Sequence, residues 1–169
     1  QVNPDKASTF SIKVRIPGWA QGTENPYGLY QSNLKAPVKL KVNQKDILLR
    51  IVDGYAEISR EWKKGDHIEL ELPMQPRLIT ANEAVKDLRG QVALASGPVI
   101  YCFEDADNPE LPTLTLQPQT PLELSHDNDL LHGVNIIKCQ SKILAKAIPY
   151  YAVANRKESH SYKVWIPQE

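Results

Sequence analysis

Little in this chain of 169 residues invites a charged partner: it has no excess of either charge, with 20 Lys and Arg against 20 Asp and Glu. Without a net field to draw it onto polyanions, nucleic acid and an anionic membrane surface are both excluded as expected partners. No apolar run approaches the roughly 20 residues of a membrane helix. The first residues carry neither a basic start nor an apolar signal core, and with no initiator methionine the sequence reads as a mature, trimmed or fragmentary product. Only one methionine and two cysteines are present, while 13 prolines are spread along the whole length. Such spacing of proline disfavours long helices and suits short strands joined by ordered loops.

Motifs for chemistry are equally scarce. There is no GxxxxGK, GxGxxG or GxSxG, so phosphate cradling and a nucleophile elbow lack support. Ser96 in "ASGPV" is followed by Gly97-Pro98, which would break the helix such a serine needs, and a bulge or tight bend is expected there. His67, His126, His132 and His160 are dispersed, and Cys102 and Cys139 lie 37 residues apart without a CxxC. No metal site follows from that spacing. The two thiols are expected to be buried in apolar strands, with one disulfide as the alternative. "FEDADNPE" is rich in oxygen ligands through Glu104, Asp105, Asp107 and Asn108, and a calcium loop competes there with a solvated turn. Paired catalytic carboxylates would need two acids roughly 5 to 10 Å apart across a cleft. Glu69 and Glu71 instead alternate with core leucines and should face water.

What the chain does have is alternation. "TFSIKVRI" sets Phe10, Ile12, Val14 and Ile16 on one face, "VKLKVN" sets Val38, Leu40 and Val42, and "HIELELP" sets Ile68, Leu70 and Leu72. This period of two marks one-faced antiparallel strands. Asp53-Gly54 and Lys64-Gly65-Asp66 supply turns. The prolines of "PMQPRLITANEAVKDLRGQ" suggest a linker, followed by the only plausible short helix, near residues 82–88 with Asn82 as its cap. Beyond Gln91, "QVALASGPVIYCFE", "VNIIKC" and "ILAKAIPYYAVAN" are continuously apolar, as in strands buried on both faces. The expected fold is all-β, built of antiparallel β-sandwich modules, the first over residues 1–80 and the second over 81–169. Residues 26–37 read as a polar insertion between strands of the first.

Aromatic side chains leave one binding chemistry open, since exposed rings on a β-sandwich can stack on sugars. Tyr27 and Tyr30 lie in a Gly/Pro/Asn-rich stretch, Trp62 precedes a turn, and these three are the sugar-contact candidates. Trp19 follows Pro17-Gly18, which ends the first strand, and is expected to swing across the sheet edge and fill a seam. Trp165 is likewise expected to be structural.

Four linked stretches, "KVRIPGWA", "GYAEISREWKKGDHIELELPM", "GQVALASGPVIYCFEDADN" and "AIPYYAVANRKESHSYKVWIP", resemble in order and spacing the C-terminal β-rich portion of glycoside hydrolase family 127, the β-L-arabinofuranosidase-like family. The sequence departs from the family pattern at "VNQK", where a VNG turn is usual, and at Val153, where a tryptophan is usual. The resemblance implies that catalysis resides in a preceding (α/α)6 barrel, with a cysteine nucleophile, an acid/base glutamate and zinc-binding cysteines upstream of residue 1. Neither Cys102 nor Cys139 matches those cysteines. No catalytic residue, metal ligand or cofactor is therefore assigned to this chain, and zinc is expected only in the barrel. The expected role is a supporting module, with the barrel, a second copy and a glycan as partners. A carbohydrate-binding module is the alternative, and an independent carboxylate enzyme a third reading.

Overall fold

The structure, a computed structural model, describes residues 1–25, 27–34, 36–140 and 143–169. Strands run in chain order as β1 (Ser8–Arg15), β2 (Tyr30–Ser32), β3 (Lys39–Val42), β4 (Lys45–Asp46), β5 (Ile51–Val52), β6 (Tyr55–Trp62), β7 (Ile68–Glu71), β8 (Pro76–Ala81), β9 (Gln91–Ser96), β10 (Val99–Glu104), β11 (Leu122–Asp127), β12 (Val134–Gln140), β13 (Leu144–Pro149), β14 (Tyr162–Lys163) and β15 (Ile166–Pro167). The fold is all-β, with antiparallel sheets as the alternation predicts. Among the described residues helical structure is confined to short 3-10 turns, one of them Lys86–Leu88. Asn82 caps no helix: its side chain accepts from the Ala84 amide at 2.9 Å in a local turn.

Two compact units are formed, residues 1–21 with 35–73, and residues 22–34 with 74–169. In the first, sheets ordered β1-β6-β5 and β4-β3-β7 share one core of Ile16, Leu40, Val42, Ala56, Ile58 and Trp62. Tight turns fix the register. Asp53 and Gly54 both have positive φ, 51° and 78°, the conformation a two-residue hairpin of matching twist demands. Leu70 lies opposite Leu40 on the core face, but edge strand β7 leaves it 37% exposed. Glu69 and Glu71 face outward across from Lys41 and Lys39.

The second unit is one sheet, β11-β12-β13-β10-β9-β8-β2, with β14 added to β10 and β15 to β9. Residues 76–81, read from their prolines as linker, form β8 instead. Pro76 occupies its first position, where a missing ladder donor is tolerated. Part of the supposed insertion 26–37 also belongs to this sheet, since β2 pairs with β8; Pro26 and Lys35 lie outside the described residues. The continuously apolar strands are buried on both faces. One face holds Val92, Leu94, Phe103, Ile137 and Ala147, closed over by Leu111, Leu114 and Leu116. By the register, the other face carries Tyr30, Arg77, Ile79, Ala93, Ile100, Cys102 and Glu104 in succession. Gly97-Pro98 makes the tight bend between β9 and β10, where the Ser96 hydroxyl donates to the Met74 carbonyl at 2.6 Å.

Candidate functional site

Two constellations of polar and aromatic side chains occupy that second face. The first is a cleft of about 290 Å³ lined by Glu24, Tyr30, Ile79, Ala93, Ile100, Val164 and Trp165. Strand β2 brings Tyr30 to the sheet edge, and the turn between β14 and β15 brings Trp165 against it, ring centroids 5.8 Å apart and tilted by 32°. Glu24 precedes β2, where Thr23 bridges Gln31 and the Asn25 side chain accepts from the Leu29 amide at 2.9 Å. This closes a small hairpin. The Glu24 carboxylate is then gripped by both faces of the Arg77 fork, at 2.7 and 2.8 Å, and Arg77 also donates to the Gly97 carbonyl at 2.8 Å. The pair is almost wholly buried, 7% and 2% exposed. A bidentate arrangement of this kind fixes both partners geometrically.

The second constellation joins "EDADN" to the loop after Pro149. Arg156 donates through Nε to Glu104 at 3.0 Å, through its terminal nitrogen to Glu104 again, and to Asp107. Lys146 lies 2.6 Å from Asp107 and 3.8 Å from Asp127. Asn108 completes the clasp, donating to the carbonyls of Glu104 and Lys146 and accepting from the Lys146 amide. Burial works against ionisation of Glu104, but the Ala154 amide and Arg156 outweigh it and hold its pKa below the ordinary value. Asp107 behaves the same way, with Arg156 and Lys146 overcoming burial. Asp105 is lowered to about 2, chiefly by the His160 amide. These oxygens are taken up by the chain's own cations and amides, so the turn at residues 105–107 is tied down rather than freely solvated. Ala154 sits at φ 59°, a costly conformation for a residue other than glycine, held there by its amide's bond to Glu104. Beside the loop, Tyr150, Tyr151 and Tyr162 stay exposed, the rings of Tyr150 and Tyr162 being 6.0 Å apart.

The sequence-derived candidates fare differently. Tyr27 is 83% exposed at the tip of the small hairpin, and Tyr30 lines the cleft. Trp62 is a correction. It is fully buried in the first unit, its indole N–H donating to the Phe10 carbonyl at 3.0 Å, because the alternation of β6 points it inward with Ala56 and Ile58. It offers no ring face to a sugar. Trp19 lies half-buried on the 3-10 turn Gly18–Gln21. Trp165, expected to be purely structural, is only half-buried and forms one wall of the cleft. Cys102 and Cys139 are free and buried, on opposite faces of the sheet, and burial pushes both thiols up to about 12. Among the described residues no three His, Cys, Asp or Glu side chains gather as metal ligands.

This architecture is that of the β modules of a glycoside hydrolase. Residues 1–74 match the GH127 middle domain of β-L-arabinofuranosidase, and residues 76–167 match the glycoside hydrolase family 127 C-terminal domain. The chain belongs to glycoside hydrolase family 127. It is similar to the non-reducing end β-L-arabinofuranosidase of Bifidobacterium longum subsp. longum, 32% identical over 108 residues, covering 63% of this chain and 14% of that protein. Two solved structures, a GH127 β-arabinofuranosidase and a GH127 β-L-arabinofuranosidase from Geobacillus stearothermophilus T6, each superpose with a TM-score of 0.82 at 31% identity. They cover 96% and 99% of this chain, which in turn spans 28% of each of theirs.

Proposed function

We propose that these residues are the non-catalytic β portion of a β-L-arabinofuranosidase-like glycoside hydrolase, supporting its catalytic barrel and contributing contacts between copies. The observation that carries this reading is the state of the acids. Glu24, Glu104 and Asp107, the buried carboxylates on the second face, are each neutralised by Arg77, Arg156 or Lys146. Carboxylates so engaged are poor nucleophiles, and Glu104 and Asp107, held below their ordinary pKa values, are poor proton donors near neutrality. The exposed tyrosines beside the clasped loop suit a docking face, since tyrosine supplies apolar area with a polar tip. Zinc, if the parent uses it, belongs with the barrel.

The test is hydrolysis of an aryl β-L-arabinofuranoside by this chain and by the full-length parent. The parent should turn over and the chain alone should not; turnover by the chain alone overturns the proposal. Deleting these residues from the parent should lower its melting temperature or its assembly state, and unchanged stability, assembly and turnover would count against a supporting role. A second reading, a carbohydrate-binding surface, is favoured by one observation, the aromatic cleft of Tyr30 and Trp165.

A further inference from the structure

We propose that the cleft between Tyr30 and Trp165 binds a single neutral sugar ring, with the Glu24 carboxylate accepting from its hydroxyls. This rests on the carbohydrate-binding reading and gives it a site and a ligand chemistry. Three properties of the cleft converge on that class of ligand. Its walls are aromatic and aliphatic, Tyr30 and Trp165 above Ile79, Ala93, Ile100 and Val164, which suits the C–H face of a sugar. Its volume of about 290 Å³ sits at the small end of ligand pockets, the range for one ring rather than a chain. Its charge is balanced internally, because Glu24 is already paired with Arg77. Neither an anion nor a cation gains from entering.

The pairing leaves Glu24 with work to do. Each carboxylate oxygen accepts one hydrogen bond from Arg77 and retains a further lone pair for a hydroxyl donor. Because Arg77 is itself held by the Gly97 carbonyl, the carboxylate is preorganised rather than mobile. On the aromatic side, the Tyr30 hydroxyl and the Trp165 indole N–H have no hydrogen-bond partner among the described residues. A dry apolar partner covering the cleft would strand these groups at the cost of unmade hydrogen bonds. A polyhydroxylated ring with one apolar face satisfies them.

The experiment is titration of the 15N-labelled chain with L-arabinose and methyl β-L-arabinofuranoside, with glycerol as an acyclic polyol lacking an apolar ring face. The Trp165 indole resonance should shift saturably with a Kd on the order of 1 mM, while those of Trp19 and Trp62 stay in place. Tyr30→Ala should weaken binding about tenfold. Should that variant fail to fold, Tyr30→Phe keeps the ring, removes only the hydroxyl, and should still weaken binding about threefold. Saturable binding that leaves Trp165 unmoved overturns the cleft while sparing the carbohydrate-binding reading. Absence of any saturable binding overturns both. An equal response to glycerol, or binding by the chain that vanishes in the full-length parent, where another domain would fill the cleft, also overturns the proposal.

Discussion

Glu104, fully buried at the end of β10, and Arg156, 52 residues later, meet through two nitrogens of one guanidinium, and the same guanidinium reaches Asp107. Burying such charges is tolerable only while all of them are paired. Arg156→Met should therefore destabilise the second unit by about 3–5 kcal/mol, since it leaves Glu104 buried without its cation and Asp107 with Lys146 alone. Glu104→Gln combined with Arg156→Met should cost less than the two single changes added together. Urea unfolding of the four proteins measures this, and simple additivity would show that the clasp is not a coupled unit.

The same clasp makes stability depend on acid. Glu104, Asp105 and Asp107 have folded pKa values below their ordinary ones of 4.5 and 3.8. Groups lowered on folding contribute stability that is complete above the unfolded value and is lost as pH falls through the folded one. Melting temperature should be flat from neutrality to about pH 5 and then drop towards pH 2, where Asp105 itself titrates. Asp105→Asn should flatten the lower part of that fall.

Gln44 carries a prediction of opposite sign. It stands in the turn between β3 and β4 at φ 67°, following Asn43 at φ 50°. Left-handed backbone costs a residue with a Cβ about 1–2 kcal/mol, and glycine gives part of that back as unfolded-state entropy. Gln44→Gly should stabilise the first unit by about 0.5–1 kcal/mol, read as a higher urea midpoint.

For Trp62, truncation to alanine should cost about 3–5 kcal/mol, the range for a buried aromatic. Trp62→Phe should cost less, removing chiefly the hydrogen bond to Phe10. Trp19, half-buried, should tolerate alanine better than Trp62 does, a ranking that thermal melts of the two alanine variants will check.

The thiols offer a simple probe of the second unit. With Cys102 and Cys139 buried and their pKa values pushed up to about 12, neither supplies thiolate at pH 8. A chromogenic disulfide reagent should find no reactive thiol in the folded chain and two after unfolding in guanidinium.

Much of this was legible in the residues themselves. Alternation in "TFSIKVRI" and "VKLKVN" told which side chains face the first core, and the uninterrupted apolar runs after Gln91 told that β9, β10 and β12 are covered on both sides. At Trp62 nearness to a turn suggests exposure, but its parity with Ala56 and Ile58 along β6 is what points the side chain inward. The cleft could not have been read. Glu24, Tyr30, Arg77 and Trp165 are far apart in sequence and meet only because β2 joins β8 and because β14 and β15 return to the same sheet. The "EDADN" acids gave a partial signal: their density was visible, but their cations, Lys146 and Arg156, lie some 40 to 50 residues away.

Strand β2 makes the border between the family's middle and C-terminal domains a poor place to cut. The polypeptide lends residues 22–34 to the later unit and then resumes the earlier one, so the two are interleaved along the gene. A fragment starting at Met74 would inherit Arg77 without Glu24, the carboxylate that takes two of its guanidinium nitrogens in the interior. Recombination that shuffles these domains as beads on a string would be punished, and the pair should travel through evolution as a single inheritance.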